Sequence, residues 1–472
     1  MYKEKLKKIA ENTYELPKEG KMLVPGRIFA SDKIMKATEE GAIAQVANVA
    51  QLSGIVGHSI ALMDLHWGYG FCIGGVAGFD AKSGIISPGG VGYDIGCGVR
   101  LLATNLTEKE FMPKREQVIS DLYKTIPSGT GKGGFKLSAK ELDEILNQGV
   151  NWAVKNNYAS KEDLEHTEDY GKIQDADASK VSQRAKARGI NQLGSLGSGN
   201  HFLEIQKVET IFNKEVAKAF GLKENQIVIL IHCGSRGLGH QVASDYIKLM
   251  EDEYGWKNLP DRQLINAPIN SKLGKDYRAA MAAAANFAFT NRQMISFHIR
   301  QVFKKYFPKS ELNLVYDIAH NIAKFEKFNI EGKEIELCIH RKGATRSLGP
   351  GRKELPEIYQ KTGQPIFLPG SMGTFSYVLV GTNKAQDISF ASTAHGAGRV
   401  MSRSKAIHDL PVEHVKKVLA KRDVILIAGS KKGIAEEAPE AYKDVDEVAR
   451  VSNELGIGNL VARLKPLAVM KG

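Results

Sequence analysis

A chain of 472 residues, 43% hydrophobic and 25% charged, has the composition of an ordinary globular protein and buries roughly three quarters of its unfolded surface without covalent staples. No apolar run approaches the ~20 residues of a membrane span, and the lysine-rich Met1–Lys8 leads into no apolar signal core, so the expected compartment is the cytoplasm. Lys and Arg number 65 against 53 Asp and Glu, a net +12; this admits nucleic acid, nucleotide or anionic lipid as a partner, beside the plainer reading of a solvated basic surface.

In chain order, the pattern predicts a helix over Ile34–Leu52 with Ser31 or Asp32 as its cap. Five glycines then crowd into Gly89–Gly98, which signals backbone in unusual geometry or brought close to something. Ser138 and Glu141 form a capping box ahead of the apolar positions of Leu142–Val154. The polar, charge-mixed Asn156–Arg188 completes a helical surface excursion at about 138–190. A strand is expected at Ile227–Ile231, and the alanine-rich, then basic, Asp276–Phe307 reads as one long helix or two. Further strands are expected at Leu312–Tyr316, Ile335–Ile339, Tyr377–Val380, Val424–Ile427 and Leu460–Met470. There is no internal repeat, linker or regular βαβ alternation. The expected fold is therefore α+β, a single domain over 1–472 with mixed and antiparallel sheets, its active site on strand-end loops.

Cys72, Cys97, Cys233 and Cys338 form no CxxC pair, which argues against a disulfide framework or a zinc ribbon. Chemistry-bearing residues gather instead beside glycines and strand ends. Gly89–Arg100 (GGVGYDIGCGVR) sets Asp94 and Cys97 three apart; LGSGNHFLE carries Asn200 and His201; HCGSRGLGH carries His232; YDIAHN carries His320; STAHGAGR carries His395. Each histidine alone reads equally as a satisfied buried ring or a helix cap, and Cys97 as core filler. Together an Asp, a Cys and several His can form one or two sites for a first-row transition metal, with a deprotonated cysteine able to bridge. The thiolate by itself suggests zinc. Cys233 reads as packing, because neighbouring strand side chains point to opposite faces. Asp64 and His66 are candidates to support the site from behind.

GGVGYDIGCGVR, LGSGNHFLE, HCGSRGLGH, YDIAHN, PGSMGTFSYVL, STAHGAGR and the terminal AVMKG resemble, in this order, the motifs of the RtcB family of tRNA-splicing RNA ligases, over about Asp64–Gly472. The resemblance implies an enzyme using GTP and Mn²⁺, which replaces the zinc expectation. It implies one metal on Asp94, Cys97 and His201 and a second on Cys97, His232 and His320. It implies a guanylate pocket of Asn200, His201, Phe202, Leu203, Glu204, His320, Asn321, Pro369, Gly370, Ser371, Met372, Ser376, Gly396, Ala397, Gly398, Tyr442 and Lys471. His395 falls on the nucleophile that takes up GMP. RNA with 2′,3′-cyclic phosphate or 3′-phosphate and 5′-hydroxyl ends is the implied substrate, tRNA exon halves among them. The activator protein archease is an implied partner.

Residue chemistry agrees. An imidazole attacks phosphorus without a general base, whereas a lysine must first lose a proton, at a cost of about 4–5 kcal/mol. Gly396 and Gly398 remove side chains that would obstruct His395. Neither a P-loop nor a K-x-D-G motif is present. Arg188, Arg236, Lys342, Arg399 and Arg403 are the expected RNA contacts, with His340–Arg346 read as a compact basic loop. Two other functions remain open on the sequence. A metal-dependent phosphoesterase trimming RNA ends needs the metal residues but neither His395 nor Lys471. A non-catalytic RNA-binding protein needs no metal.

Overall fold

His320 is the residue at which the chain leaves one sheet and enters another. It separates the strand Leu312–Ala319 from the strand Asn321–Ile330, and each lies at the edge of a large sheet. The computed structural model describes residues 1–129 and 133–472. The first sheet runs Lys7–Ala10, Thr13–Leu16, Gly26–Phe29, Ile55–His66, Ile73–Asp80, Lys333–Lys342 and Asn321–Ile330. The second runs Leu312–Ala319, Gly98–Thr107, Gln226–Cys233, Phe202–Ile211, Asn459–Lys471, Ser376–Val380 and Pro365–Leu368, with Ile425–Ala428 added parallel to Asn459–Lys471. The fold is α+β, and every predicted strand is present.

The run Ile227–Ile231 is apolar throughout because both faces of its sheet are covered. Ile227, Ile229 and Ile231 pack with Ile295, Ile299 and Phe303 of the helix Lys272–Tyr306. Val228 and Leu230 face the opposite core with Val378 and Val461. Lys272–Tyr306 is one helix of 35 residues, not two. Its alanines allow a tight approach: a Cβ on Gly96 (φ +71) would lie 2.8 Å from the Ala285 Cα.

Two expectations fail locally. The segment Ile34–Leu52 is two helices, Asp32–Ala37 and Glu40–Val49, with extended backbone at Thr38 and Glu39. The Thr38 hydroxyl donates to the Ile34 carbonyl at 2.9 Å, a local bond that competes with the helical ladder; Ser31, not Asp32, is the cap. The segment 138–190 is not a surface excursion. The capping box of Ser138 and Glu141 forms, and the helix it starts buries Leu142, Ile145 and Leu146 in the main core. Further on, Asp163 accepts both Nη atoms of Arg300 at 2.6 and 2.7 Å, and Glu168 and Asp169 hold Lys324 at 2.7 and 2.6 Å. These charges, which read as solvated, are partners for a half-buried Arg300 and a buried Lys324.

At the centre, Asp317 binds two fully buried guanidiniums, Arg100 Nε at 2.7 Å and Arg292 Nε at 2.8 Å. Arg292 Nη1 also donates to the carbonyls of Gly96 and Cys233, each at 2.8 Å. Removing one partner of a buried pair leaves an uncompensated charge. Asp317→Ala is expected to lose about 3–5 kcal/mol of stability, read from urea unfolding; a loss below about 1 kcal/mol, the surface-pair range, would refute that account.

Candidate metal and nucleotide site

Three neighbouring strands of the second sheet bring the donors together. Cys97 immediately precedes Gly98–Thr107, His201 precedes Phe202–Ile211, and His232 is the last residue but one of Gln226–Cys233. Register pairs His232 with Val99 on one side and Phe202 on the other, so the three side chains reach one end of the sheet. His320 arrives from the corner between the sheets. Cys97 Sγ lies 3.5 Å from His201 Nε2 and 3.3 Å from His232 Nε2. His232 Nε2 lies 3.3 Å from His320 Nε2, and His201 Nε2 lies 2.7 Å from Asp94 Oδ2. Two triads result, Asp94–Cys97–His201 and Cys97–His232–His320, with Cys97 in both. Donors about 3.3–3.5 Å apart suit ligands each about 2.0–2.3 Å from a common ion, so the residues fit the metals the sequence implies.

Electrostatics supports this reading. Burial, then neighbouring imidazoles, push His232 and His320 well down, leaving neutral rings with a free lone pair. Burial drives the Cys97 thiol up to about 12, with the Asp94 charge adding to it. Burial opposes charge on Asp94 too, but the His201 imidazole outweighs it and holds the carboxyl at about 2. Burial likewise opposes charge on His201, yet Cys233, Asp94 and Cys97 raise its ring. A cation bound here takes over the balancing role of that ring's proton. Cys233 is buried in the core as expected, its sulfur accepting from Asn291 Nδ2 at 3.3 Å.

His395 follows the short strand Ser392–Ala394, which pairs with Ala344–Arg346. Its Nδ1 lies 2.6 Å from Asp64 Oδ2, and its backbone N donates to the same oxygen at 2.9 Å. The carboxylate fixes the proton on Nδ1 and leaves the Nε2 lone pair outward. The ring centre is 4.7 Å from that of His320. Gly398 serves this contact more than it clears space: at φ +73 its absent Cβ would fall 2.1 Å from the Asp64 carbonyl oxygen. Asn321 ties the two halves together, donating to the Asp94 carbonyl at 3.1 Å and accepting from Gly343 N at 2.8 Å.

A cleft opens over this cluster. Of the expected pocket residues, Asn200, Phe202, His320, Asn321, Pro369, Gly370, Ser371, Met372, His395, Gly396, Ala397, Gly398, Tyr442 and Lys471 line it. His201 faces a second groove, with Asp94. Leu203 does not line the cleft; its side chain is core, in the cluster that holds Met470. Glu204 and Ser376 are buried beneath it, both bonded to Gln206 Nε2, at 2.6 and 3.0 Å. Burial pushes the Glu204 carboxyl up to about 8.

Residues 45–472 match the family model described as tRNA-splicing ligase RtcB. The chain is 49% identical over 475 residues to the tRNA-splicing ligase RtcB of Methanococcus maripaludis, covering 98% of this chain and 99% of the relative. It is 51% identical over 477 residues to that of Archaeoglobus fulgidus and 50% over 479 to that of Thermococcus kodakarensis, each covering 99% of both chains. The chain belongs to the RtcB family.

Within this RtcB-family fold the expected RNA contacts divide. Arg188, Arg236 and Arg403 line the groove beside Asp94 and His201. Arg399 lines the cleft but is held by Tyr442 Oη at 3.0 Å, the Glu436 carbonyl at 2.7 Å and Glu437 at 3.3 Å. His340–Arg346 is not a basic loop. It is the buried end of Lys333–Lys342 and the following strand, where Arg341 and Arg346 pair with Glu326 at 2.6 and 3.5 Å. Lys342 is buried and donates to the Tyr69 carbonyl, and burial lowers it to about 7. Sequence reasoning missed Glu437. Buried, it faces Lys471 at 3.4 Å, Arg399 at 3.3 Å and Arg403 at 3.7 Å and accepts from Tyr442. No motif around Glu437 marks it; its role arises from where three cations converge.

Cys97→Ala removes the donor common to both triads and is expected to abolish tight Mn²⁺ uptake, measured by elemental analysis after dialysis; unchanged uptake would exclude Cys97 as a ligand. For Glu204 the folded pKa, about 8, exceeds the unfolded value. The protonated form favours folding below the unfolded pKa of about 4.3, and that contribution is lost as pH rises toward 8. Glu204→Gln is therefore expected to melt higher than wild type at pH 8, with the gap closing toward pH 4.5; no pH-dependent gap would refute a buried neutral carboxyl.

Proposed function

We propose that the chain is a GTP- and Mn²⁺-dependent RNA ligase that joins 2′,3′-cyclic phosphate or 3′-phosphate ends to 5′-hydroxyl ends. The carrying observation is His395, its Nδ1 pinned 2.6 Å from Asp64 and its ring beside the donor cluster at His320. Nε2 attacks the α-phosphorus of GTP; the N–P bond forms and the bond to the β-phosphate oxygen breaks, releasing pyrophosphate. The guanylate then passes to an RNA 3′-phosphate, breaking N–P and making a phosphoanhydride. A 2′,3′-cyclic end is first opened by water. The 5′-hydroxyl attacks the activated phosphate, loses its proton and expels GMP.

Asp94, Cys97, His201, His232 and His320 would hold two Mn²⁺ ions, which neutralise phosphate charge and polarise the reacting centre when bound. Asp64 keeps the imidazole in the attacking tautomer. Lys471 donates to the Gly199 carbonyl at 2.8 Å, and with Arg399 and Tyr442 it is positioned by Glu437 along the nucleotide cleft. tRNA exon halves are the proposed substrates, and the names of the relatives support this. Archease is a compatible activator and the cytoplasm the proposed setting; no helix among the described residues is long and apolar enough to cross a membrane.

The test uses Mn²⁺ and GTP labelled at the α-phosphate. Label is expected on wild type and absent from His395→Ala, and wild type is expected to join a 3′-phosphate oligoribonucleotide to a 5′-hydroxyl one. Equal label on both proteins would refute His395 as the carrier. End trimming without GTP or joining would favour a phosphoesterase.

A further inference from the structure

Trp67 is 61% exposed, an unusual place for the largest apolar side chain, and it is rigidly held. A Cβ on Gly41 would lie 3.4 Å from the indole, so one side of the ring rests on the helix Glu40–Val49. The Gln45 side chain clamps the next residue from both directions, donating to the Gly68 carbonyl at 2.6 Å and accepting from Gly68 N at 3.0 Å. On the other flank, His66 Nδ1 lies 3.0 Å from the Trp67 carbonyl oxygen. Among the described residues, no aromatic or cation–π partner covers the outer part of this indole.

Trp67 walls a groove of about 480 Å³ with Glu39, His66, Arg399, Arg403 and Lys443. Three of these carry positive charge against one carboxylate. Arg403 is the cation with donors to spare, since its side chain is 55% exposed and its ion pair to Glu437 spans 3.7 Å. The groove is continuous with the nucleotide cleft, because His66, Ile73, Arg399 and Arg403 line both. An aromatic platform beside a cationic track is how single-stranded nucleic acid is held, with bases stacking and phosphates following the charge.

We propose that this groove binds the single-stranded RNA 3′ end, with a base next to the reacting phosphate stacked on Trp67 and its backbone phosphates on Arg403. The assignment of strand rests on the ligase reading above: the 3′-phosphate end is the one that must meet the guanylate on His395, and the groove opens beside that residue. Trp67 touches neither the nucleophile nor the donor cluster, so its role is to position RNA.

Indole fluorescence reports stacking directly. Trp152 is buried and Trp256 is the other exposed tryptophan, so the measurement is made on full-length Trp256→Phe protein. A single-stranded 3′-phosphate oligoribonucleotide is expected to quench the emission, and Trp67→Phe is expected to abolish that quenching while retaining most of the RNA affinity. Trp67→Ala should weaken binding of the same oligonucleotide roughly 5- to 150-fold, the equivalent of about 1–3 kcal/mol for one stacked base. Its uptake of label from GTP should match wild type. Quenching that survives Trp67→Phe, quenching by GTP alone, or unchanged RNA affinity in Trp67→Ala would overturn the proposal. Stronger quenching by a 5′-hydroxyl oligonucleotide without a 3′-phosphate would overturn the strand assignment. If wild type takes no label from GTP yet the oligonucleotide still quenches Trp67, the ligase reading fails and the RNA groove stands.

Discussion

Asp317 and the two guanidiniums that share it are the interaction on which the site depends. Burying three charges is costly unless each is paired and its remaining hydrogens are used. Here part of them goes to the loops that matter: Arg292 Nη1 holds the carbonyls of Gly96 and Cys233, while Nη2 of Arg100 and of Arg292 makes no hydrogen bond among the described residues. These residues adjoin Cys97 and His232. On the same helix, Asn291 accepts from Gly194 N at 2.7 Å and donates to the Gly234 carbonyl at 3.2 Å. One helix thus fixes the backbone of three ligand-bearing segments, and the donor spacing follows from its polar residues.

Around that anchor the two sheets divide the work. The second sheet delivers Cys97, His201 and His232 at adjacent strand ends, where burial keeps the His232 imidazole neutral and raises the cost of an unpaired thiolate, while against that burial the neighbouring acid groups raise His201. The first sheet delivers Asp64 near the end of Ile55–His66 and, with it, the orientation of His395. Asn321 and Gly343 bridge the two. His395 itself follows a strand of a separate two-stranded pair, Ala344–Arg346 with Ser392–Ala394, and its ring meets the donor cluster at His320.

Buried acid–base pairing recurs further out. Glu168, Asp169 and Glu326 neutralise Lys324, Arg341 and Arg346. Arg346, from the run that resembles a phosphate-binding loop in the sequence, is thereby committed with Lys324 to holding segment 138–190 against the sheets, while Arg341 is committed to Glu326. Of the expected RNA contacts, Arg188, Arg236 and Arg403 are those that line the groove beside Asp94 and His201.

The sequence by itself determined the strands and a helical stretch at Asp276–Phe307, left open as one helix or two, because apolar runs and caps are local. It also marked candidate donors beside glycines, while the two metal-donor sets and the role of His395 came from the family resemblance of long motifs. The tertiary structure alone decided which charges are available. Lys342, Arg341 and Arg346 are cations like Arg403, but burial and their partners consume them: the Tyr69 carbonyl takes Lys342, Glu326 takes Arg341, and Glu326, Glu168 and Asp169 take Arg346. It also decided that Asp64 orients His395, that Glu437 gathers the cleft's cations, and that Leu203 and Ser376 are buried away from the cleft lining. Those contacts join residues distant in sequence through strand register, which no local pattern encodes.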